Sequence, residues 1–151
     1  PEKMLPLFVT NLLQNKKVPV YGDGQQIRDW LHVDDHCRAI DLIIEKGNRG
    51  EIYNIGANHQ PEWPNLQVTK LILDELKADE SMIEHVTDRP GHDRRYAVDT
   101  AKIEVLGWKP LVTPDEGLRQ VVRWYKDHPQ WWQPITRGEF KKYYESQYRI
   151  K

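Results

Sequence analysis

The stretch at residues 18–35, VPVYGDGQQIRDWLHVDD, constrains the fold of this chain more than any other part of the sequence. At its centre, Asp23-Gly24 lies between two runs that contain β-forming residues. An Asp-Gly pair in this setting favours a two-residue type I′ turn, because both central residues need a positive φ. The pattern predicts a β-hairpin whose antiparallel arms are residues 18–22 and 25–33.

The predicted hairpin brings three useful side chains to one face. Tyr21 is expected opposite Gln26, with Arg28 as its diagonal neighbour. A flat nucleobase can stack on the ring of Tyr21 while the planar guanidinium binds a phosphate. The alternative is a solvated hairpin in which Tyr21 packs on a neighbour, and local geometry does not choose between the two.

The charge balance excludes several classes of partner. The chain has 151 residues, of which 22 are basic and 23 acidic, and its formal net charge is -1. Because no long run carries a single sign, we expect no broad surface for nucleic acid or for an anionic membrane. A small anion held by a few arginines is compatible with this composition.

No segment is suited to a membrane or to an oxidising compartment. The mean hydropathy is -0.78. No apolar run approaches the about 18 residues of a transmembrane helix, and the N-terminus has no signal-peptide pattern. The one cysteine, Cys37, can form neither an internal disulfide nor a cysteine zinc cluster. We therefore expect a soluble cytoplasmic protein without a metal site.

A second informative stretch covers residues 88–96, DRPGHDRRY. Pro90-Gly91 predicts a turn. Basic side chains flank it, namely Arg89, His92, Arg94 and Arg95. Such a group can clamp a diphosphate, with Asp93 orienting one guanidinium. A solvated loop of alternating charge is the alternative interpretation.

Apolar residues at helical spacing predict four longer helices, over residues 4–15, 35–46, 65–78 and 114–127. Asp34 or Asp35 is expected to cap the second helix, and Asn65 the third. Thr113-Pro-Asp-Glu116 is a capping box with proline at the first helical position of the fourth. Shorter elements are predicted as strands over 51–56 and 84–87 and helices over 99–106 and 138–149.

Two single residues are unusual for their predicted positions. Lys3 lies at the start of the first helix, where the helix dipole disfavours a cation, so it is either solvated or held by an anionic partner. Asn54 lies in a predicted strand, where asparagine is depleted. It either caps a turn or contacts a ligand.

The sequence contains no recognisable catalytic set. It has no glycine-rich dinucleotide loop, no Tyr-x-x-x-Lys pair, no P-loop, no His-Glu-x-x-His and no Gly-x-Ser-x-Gly. It also begins Pro1-Glu2-Lys3 without an initiator methionine. We expect it to be the tail portion of a longer protein.

Five segments together resemble a known family. PEKMLPL, PVYGDGQQIRDWLHVDD, GEIYNIG, DRPGHDRRYAVD and LGWKP, the last followed by an amphipathic helix, are similar in order and spacing to the C-terminal portion of the dTDP-glucose 4,6-dehydratases. These belong to the extended short-chain dehydrogenase/reductase family. Arg-Asp-Trp-Leu-x-Val-x-Asp marks only that wider family, whereas Arg-Pro-Gly-His-Asp-Arg-Arg-Tyr narrows the resemblance to the dehydratases.

The resemblance implies the fold class and the domain organisation. Residues 1–151 are expected to form an α/β, C-terminal substrate-binding portion of an extended short-chain dehydrogenase/reductase, lacking most of the Rossmann domain. Residues 34–56 are expected to pack against that missing domain. The NAD cofactor would be bound by the missing upstream domain, and the full-length protein would be a homodimer.

The resemblance also implies an activity. The family oxidises C4 of the hexose of dTDP-glucose, eliminates water across C5 and C6, and returns the hydride to C6, giving a 4-keto-6-deoxy sugar. Its catalytic residues lie upstream of this chain, so no catalytic residue is assigned here and the 151-residue chain alone is predicted to be inactive.

Substrate-binding roles carry over to Lys3, Met4, Tyr21, Arg28, Asn54, Arg89, His92 and Tyr148. Lys3 and Met4 would lie on the path of the nucleotide sugar, and Tyr21 would stack on the base. The diphosphate would be held by Arg28, Arg89 and His92. Asn54 would contact the nucleotide, and Tyr148 would lie near the substrate.

Two alternatives remain open at this level. One is a free-standing nucleotide-sugar binding module without catalysis. The other is part of a related NAD-dependent nucleotide-sugar epimerase or decarboxylase. The sequence does not decide between a thymidine and a uridine carrier.

Overall fold

The computed structural model describes residues 3–138. The helices are α1 (Met4–Leu13), α2 (Val33–Lys46), α3 (Asn65–Leu76), α4 (Ala101–Glu104), α5 (Pro114–Asp127) and α6 (Pro129–Arg137). The strands are β1 (Val18–Tyr21) and β2 (Ile83–Val86), and a single 3-10 turn, Glu80–Met82, precedes β2. The four longer predicted helices are confirmed as α1, α2, α3 and α5, with small shifts at their ends.

The larger hydrophobic core lies between α1, β1, α3 and α5. Val9, Val18, Val68, Ile72 and Val122 are fully buried in it. Val68 and Ile72 lie four positions apart on one face of α3, which is the spacing that predicted this helix. This packing places the start of α1 beside the end of β1, and the two line the same cavity.

The predicted antiparallel hairpin at Asp23-Gly24 is wrong. β1 pairs in parallel with β2, with Val18 beside Ile83 and Tyr21 beside Val86. No strand of the described chain follows the turn directly. Val18 and Val20 are both buried under helices, as is usual for a strand in a parallel pair.

A turn does form at the expected place, but it redirects the chain instead of reversing it. The N–H of Gly24 donates to the carbonyl of Tyr21 at 3.0 Å, so Gly22, with φ +54°, is a central residue of the turn. The Asp23 carboxylate then accepts the N–H of Gln25 at 2.9 Å, which is an Asx turn. Ile27 bridges both Pro64 and Arg95 beyond it, so Tyr21 and Arg28 do not share a hairpin face.

A smaller core forms around Ala39 of α2, Ile103 and Trp108. The fully buried Asp35 fastens α2 to the segment before α5, because its carboxylate accepts the N–H groups of Leu111 at 3.0 Å and Val112 at 2.9 Å. Asp35 is therefore a tertiary anchor and not the predicted helix cap. The cap is provided by His32, whose ring accepts the Asp34 N–H at 3.3 Å.

Several short predicted elements differ from the structure. Residues 51–56 form no strand within the described chain, since no second strand lies beside them to complete a ladder. The predicted helix 99–106 is reduced to the single turn α4. Asn65 is the first residue of α3 and not its cap, because the cap position is Pro64. The strand predicted at 84–87 is confirmed as β2.

The outer face of α2 is apolar and uncovered. Ile44 is 77% exposed, and Ile52, in the segment after the helix, is 81% exposed. The C-terminal helix predicted over 138–149 and Tyr148 lie outside the described residues. Over residues 3–138, the helices are too short and too polar to cross a membrane.

Candidate functional site

A cavity of about 580 Å³ opens between α1, the end of β1 and the loop that contains residues 88–98. That volume lies within the range of about 300–1,000 Å³ that is usual for small-ligand sites. Six residues predicted from the sequence line it, namely Lys3, Met4, Tyr21, Arg28, Arg89 and His92. Asn54 does not line it, since its amide donates to the Asp99 carbonyl at 3.2 Å.

Arg28 is held in place by three contacts. Its guanidinium carbon lies 4.1 Å from the centre of the Tyr96 ring, and its Nη atoms donate to the carbonyl oxygens of Ile27 at 2.6 Å and Asp93 at 2.9 Å. Neither acceptor carries a full charge, and no carboxylate of the described chain forms an ion pair with Arg28. Its positive charge therefore remains available to a ligand.

Arg89 is stacked in a similar way on the other tyrosine. Its guanidinium carbon is 5.1 Å from the Tyr21 ring centre, and the His92 ring packs edge-on against Tyr21 at 5.8 Å between centroids. Tyr21 thus supports Arg89, whereas Arg28 is stacked on Tyr96. A tyrosine ring beneath a guanidinium attracts the cation and orients it, because the face of the ring is negative.

Arg94 and Arg95 serve a different purpose from their neighbours. The Arg94 guanidinium makes a two-pronged ion pair with Asp23, with the shortest contact at 2.8 Å. Arg95 pairs with Glu62 at 2.6 Å. These hydrogen bonds lower the pKa of both carboxyl groups. The two ion pairs fasten the loop to the rest of the chain. Of the four basic residues predicted to form a clamp in this stretch, Arg89 and His92 line the cavity, whereas Arg94 and Arg95 do not.

Asp88 organises the inner side of this loop. Its carboxylate lies 2.6 Å from Nδ1 of His92, accepts the Nε2 amide of Gln26 at 2.7 Å, and accepts the N–H of Arg89 at 2.8 Å. The hydrogen bond with His92 is the main reason that the pKa of Asp88 lies below its usual value. Asp88 therefore sets the orientation of both His92 and Gln26 at the cavity wall.

The cavity is electropositive. Lys3, Arg28 and Arg89 line it, whereas Asp29 is the one carboxylate among its described lining residues. The charge of Asp29 is directed to a neighbouring loop, where it accepts the N–H groups of Ala57 at 2.8 Å and Asn58 at 3.1 Å. Guanidinium groups with free N–H edges suit phosphate oxygens.

The sequence did not assign a role at this site to several residues that the structure brings there. Asp88 and Tyr96 are the end residues of the 88–96 stretch, and Asn65 was predicted only as a helix cap. The spacing of Asp88 from His92 is that of a local pair in a turn. Gln26 was predicted only as a neighbour of Tyr21. Ile27 bridges Pro64 and Arg95, which places the next residues, Asn65 and Tyr96, at the cavity. Such contacts join distant segments, so a local sequence pattern does not predict them.

These features define a class of protein before any comparison. A parallel strand pair covered by helices, with a cavity at the strand ends, is typical of the ligand-binding part of an α/β protein, and the cations that line this cavity suit a small anionic ligand.

The chain belongs to the family whose model is described as GDP-mannose 4,6 dehydratase, which matches residues 1–121. It is 48% identical over 136 residues to a dTDP-glucose 4,6-dehydratase of Streptomyces niveus, covering 89% of this chain and 40% of that protein. A crystal structure of the dTDP-glucose 4,6-dehydratase of Streptomyces venezuelae, with NAD and TYD bound, aligns with a TM-score of 0.84 at 49% identity. That alignment covers 89% of this chain and 42% of the other.

A more distant likeness is to the UDP-glucose 4-epimerase of Thermotoga maritima with UDP-glucose, at a TM-score of 0.75 and 31% identity over 83% of this chain and 40% of the other. The chain therefore spans about two fifths of the length of these relatives. The fold is the mixed α/β fold of a portion of the short-chain dehydrogenase/reductase dehydratases and epimerases, as the resemblance implied.

Proposed function

We propose that this chain is the nucleotide-sugar binding portion of an NAD-dependent dTDP-glucose 4,6-dehydratase. The observation that carries the proposal is the convergence of Lys3, Arg28, Arg89 and His92 on one cavity. Arg28 and Arg89 are stacked on tyrosines and lack a carboxylate partner within residues 3–138. A diphosphate supplies the negative charge that such an arrangement requires.

The assigned roles differ in how directly the geometry supports them. Arg28, Arg89 and His92 are proposed to bind the diphosphate, and Lys3 and Met4 to border the ligand at the start of α1. Tyr21 is proposed both to support Arg89 and to border the base. Asn54 and Tyr148 are proposed to reach the substrate only in the complete protein, since one turns to Asp99 and the other lies outside the described residues.

NAD is proposed to bind outside this chain. The residues present do not fit it, because no glycine-rich loop precedes any helix here and α1, beside the cavity, begins with Lys3-Met4-Leu5. When bound, NAD supplies the hydride acceptor for oxidation at C4 of the hexose. The contribution of this chain is to hold the nucleotide end of the sugar nucleotide.

The uncovered face of α2 supports the proposed position of the chain within a larger protein. Ile40 and Ile44 are exposed apolar side chains one turn apart on α2, and Ile52 is exposed in the segment after it. Exposed apolar patches usually mark interfaces. Residues 34–56 are proposed to pack against a Rossmann domain in the complete protein, which is proposed to be a homodimer.

Two measurements on the complete gene product test the proposal. Calorimetry with dTDP, UDP and GDP should show tightest binding of dTDP, and thymidine should bind more weakly because it lacks the diphosphate. Incubation with NAD and dTDP-glucose should give the 4-keto-6-deoxy product. Formation of an epimer instead would favour the epimerase alternative, and binding without any reaction would favour the binding module.

A further inference from the structure

Three buried side-chain polar atoms have no hydrogen-bond partner within residues 3–138, and all three belong to residues that line the cavity. They are Gln26 Oε1, Trp30 Nε1 and Asn65 Oδ1. Buried polar atoms in folded proteins are nearly always paired, so an unpaired group at a cavity wall points to a ligand atom or a bound water.

The orientation of the Gln26 amide follows from its surroundings. Its Nε2 donates to the Asp88 carboxylate at 2.7 Å, and the lowered pKa of Asp88 keeps that carboxylate ionised at neutral pH. An ionised carboxylate only accepts hydrogen bonds, so the amide nitrogen must face Asp88. The oxygen, Oε1, is then the atom left at the cavity wall, in a side chain that is 2% exposed.

A second acceptor lies next to Gln26. The N–H of Asn65 donates to the backbone carbonyl of Gln26 at 2.9 Å, which fixes the two residues side by side. The Oδ1 of Asn65 is also buried and unpaired. The same wall thus presents two amide oxygens, and both require a donor.

These two amide oxygens cannot form hydrogen bonds with the diphosphate. Ionised phosphate oxygens are acceptors, and two acceptors repel one another. Asp88 joins Gln26 to His92, and His92 lies against Tyr21 beside Arg89, so the oxygens adjoin the cationic part of the cavity. In a nucleotide sugar, two groups lie next to the phosphates and carry donors, the nucleoside and the hexose. The contacts from Gln26 through Asp88 and His92 end at Tyr21, which is proposed to border the base, and this favours the nucleoside.

We propose that Gln26, oriented by Asp88, accepts a hydrogen bond from the nucleoside part of the ligand, with Asn65 as the neighbouring acceptor. The inference rests on the proposed nucleotide site and extends it to the donor groups of the nucleoside. The donor is either the base imide N–H or the sugar hydroxyl, and the experiment separates these two sources.

The first test uses the wild-type complete gene product and needs no variant. Calorimetry compares dTDP with its N3-methyl analogue, which lacks the base N–H, and with its 3′-deoxy analogue, which lacks the sugar hydroxyl. One analogue should bind about ten-fold more weakly than dTDP, which is the usual effect of one buried hydrogen bond. Equal binding of all three ligands would overturn the proposal, because Oε1 would then be met by water.

The second test replaces the acceptor. Gln26→Met keeps the length of the side chain and should weaken dTDP binding about ten-fold. This variant should no longer distinguish dTDP from the analogue that the wild type rejects, since both changes remove the same bond. The matched control is Gln25→Met, a half-buried neighbour that does not line the cavity, and it should bind like the wild type.

Binding of inorganic pyrophosphate separates a direct role of Gln26 from an indirect effect through Asp88. Pyrophosphate has no nucleoside, so the wild type and Gln26→Met should bind it with the same affinity. A loss equal to that for dTDP, or unchanged dTDP binding by Gln26→Met, would overturn the proposal. Absence of dTDP binding by the wild type would overturn the proposed function, and this inference with it.

Discussion

Replacing Arg89 by alanine tests the diphosphate site most directly. Arg89 lies over the Tyr21 ring with a 5.1 Å separation, lines the cavity, and forms no ion pair with a carboxylate of the described chain. Its side chain therefore supports no structural ion pair that the substitution would break. We expect the fold to persist and the affinity for the diphosphate to fall.

The magnitude follows from the hydrogen bonds that are lost. A hydrogen bond to a charged group contributes about 1.5–3 kcal/mol, which corresponds to roughly a ten-fold to 150-fold change in affinity. Because Arg89 is exposed, water and salt screen its charge, and we expect the lower end, about ten-fold. Arg89→Lys should recover only part of the loss, because lysine keeps the charge without the planar fork.

Removing the Tyr21 ring should also weaken diphosphate binding, because Arg89 is stacked on it. Removing it by Tyr21→Leu leaves the Arg89 guanidinium without its support, and cation–π contacts contribute about 0.5–2 kcal/mol. The affinity for thymidine should fall because Tyr21 is also proposed to border the base, and the affinity for dTDP should fall further because Arg89 is proposed to contact the diphosphate.

Calorimetry of dTDP and thymidine on the complete gene product measures these effects, and thermal unfolding confirms that each variant is folded. The control is Arg95→Ala, a change in the same loop at a residue that pairs with Glu62 and does not line the cavity. It should bind dTDP like the wild type. An unchanged dTDP affinity in Arg89→Ala, or an equal loss for thymidine, would refute the diphosphate assignment.

Three further outcomes are expected. Asp35→Ala should lower the free energy of unfolding by about 1.5–3 kcal/mol in chemical denaturation, because it removes the charged, buried acceptor of the partly buried Leu111 and Val112 N–H groups. A loss below about 0.5 kcal/mol would contradict the anchor role. Burial raises the pKa of Asp35. The hydrogen bonds from the Val112 and Leu111 N–H groups and the charge of Arg38 lower it by more, so the net pKa is below its usual value. The unfolded chain then takes up the proton first, so the anchor should act fully above about pH 5 and be lost below about pH 4, and the melting temperature of the wild type should fall more steeply there than that of Asp35→Ala. Finally, the 151-residue chain alone, with NAD and dTDP-glucose, should form no 4-keto-6-deoxy product, since its sequence contains no Tyr-x-x-x-Lys pair and no glycine-rich cofactor loop. Turnover by a chain of verified mass would disprove this.

The sequence by itself determined the elements whose signals are local. α5 begins where the capping box predicted, with the Thr113 hydroxyl accepting the Glu116 N–H at 3.3 Å, and the longer helices follow their apolar spacing. Gly91 turns the 88–96 loop with φ +67°. These features depend on residues a few positions apart, so a linear pattern contains the information.

Only the tertiary structure decided the pairing of β1 and the roles of the arginines. The local preference of Asp23-Gly24 for a turn was satisfied, but β1 took its partner from residues 83–86 because its apolar side chains are buried there beneath helices. Arg89 and Arg94 are alike in sequence, yet Arg94 is neutralised by Asp23, 71 positions away. Whether a cation is free to bind a ligand depends on which carboxylates the fold brings within hydrogen-bonding distance, and sequence spacing does not contain that distance.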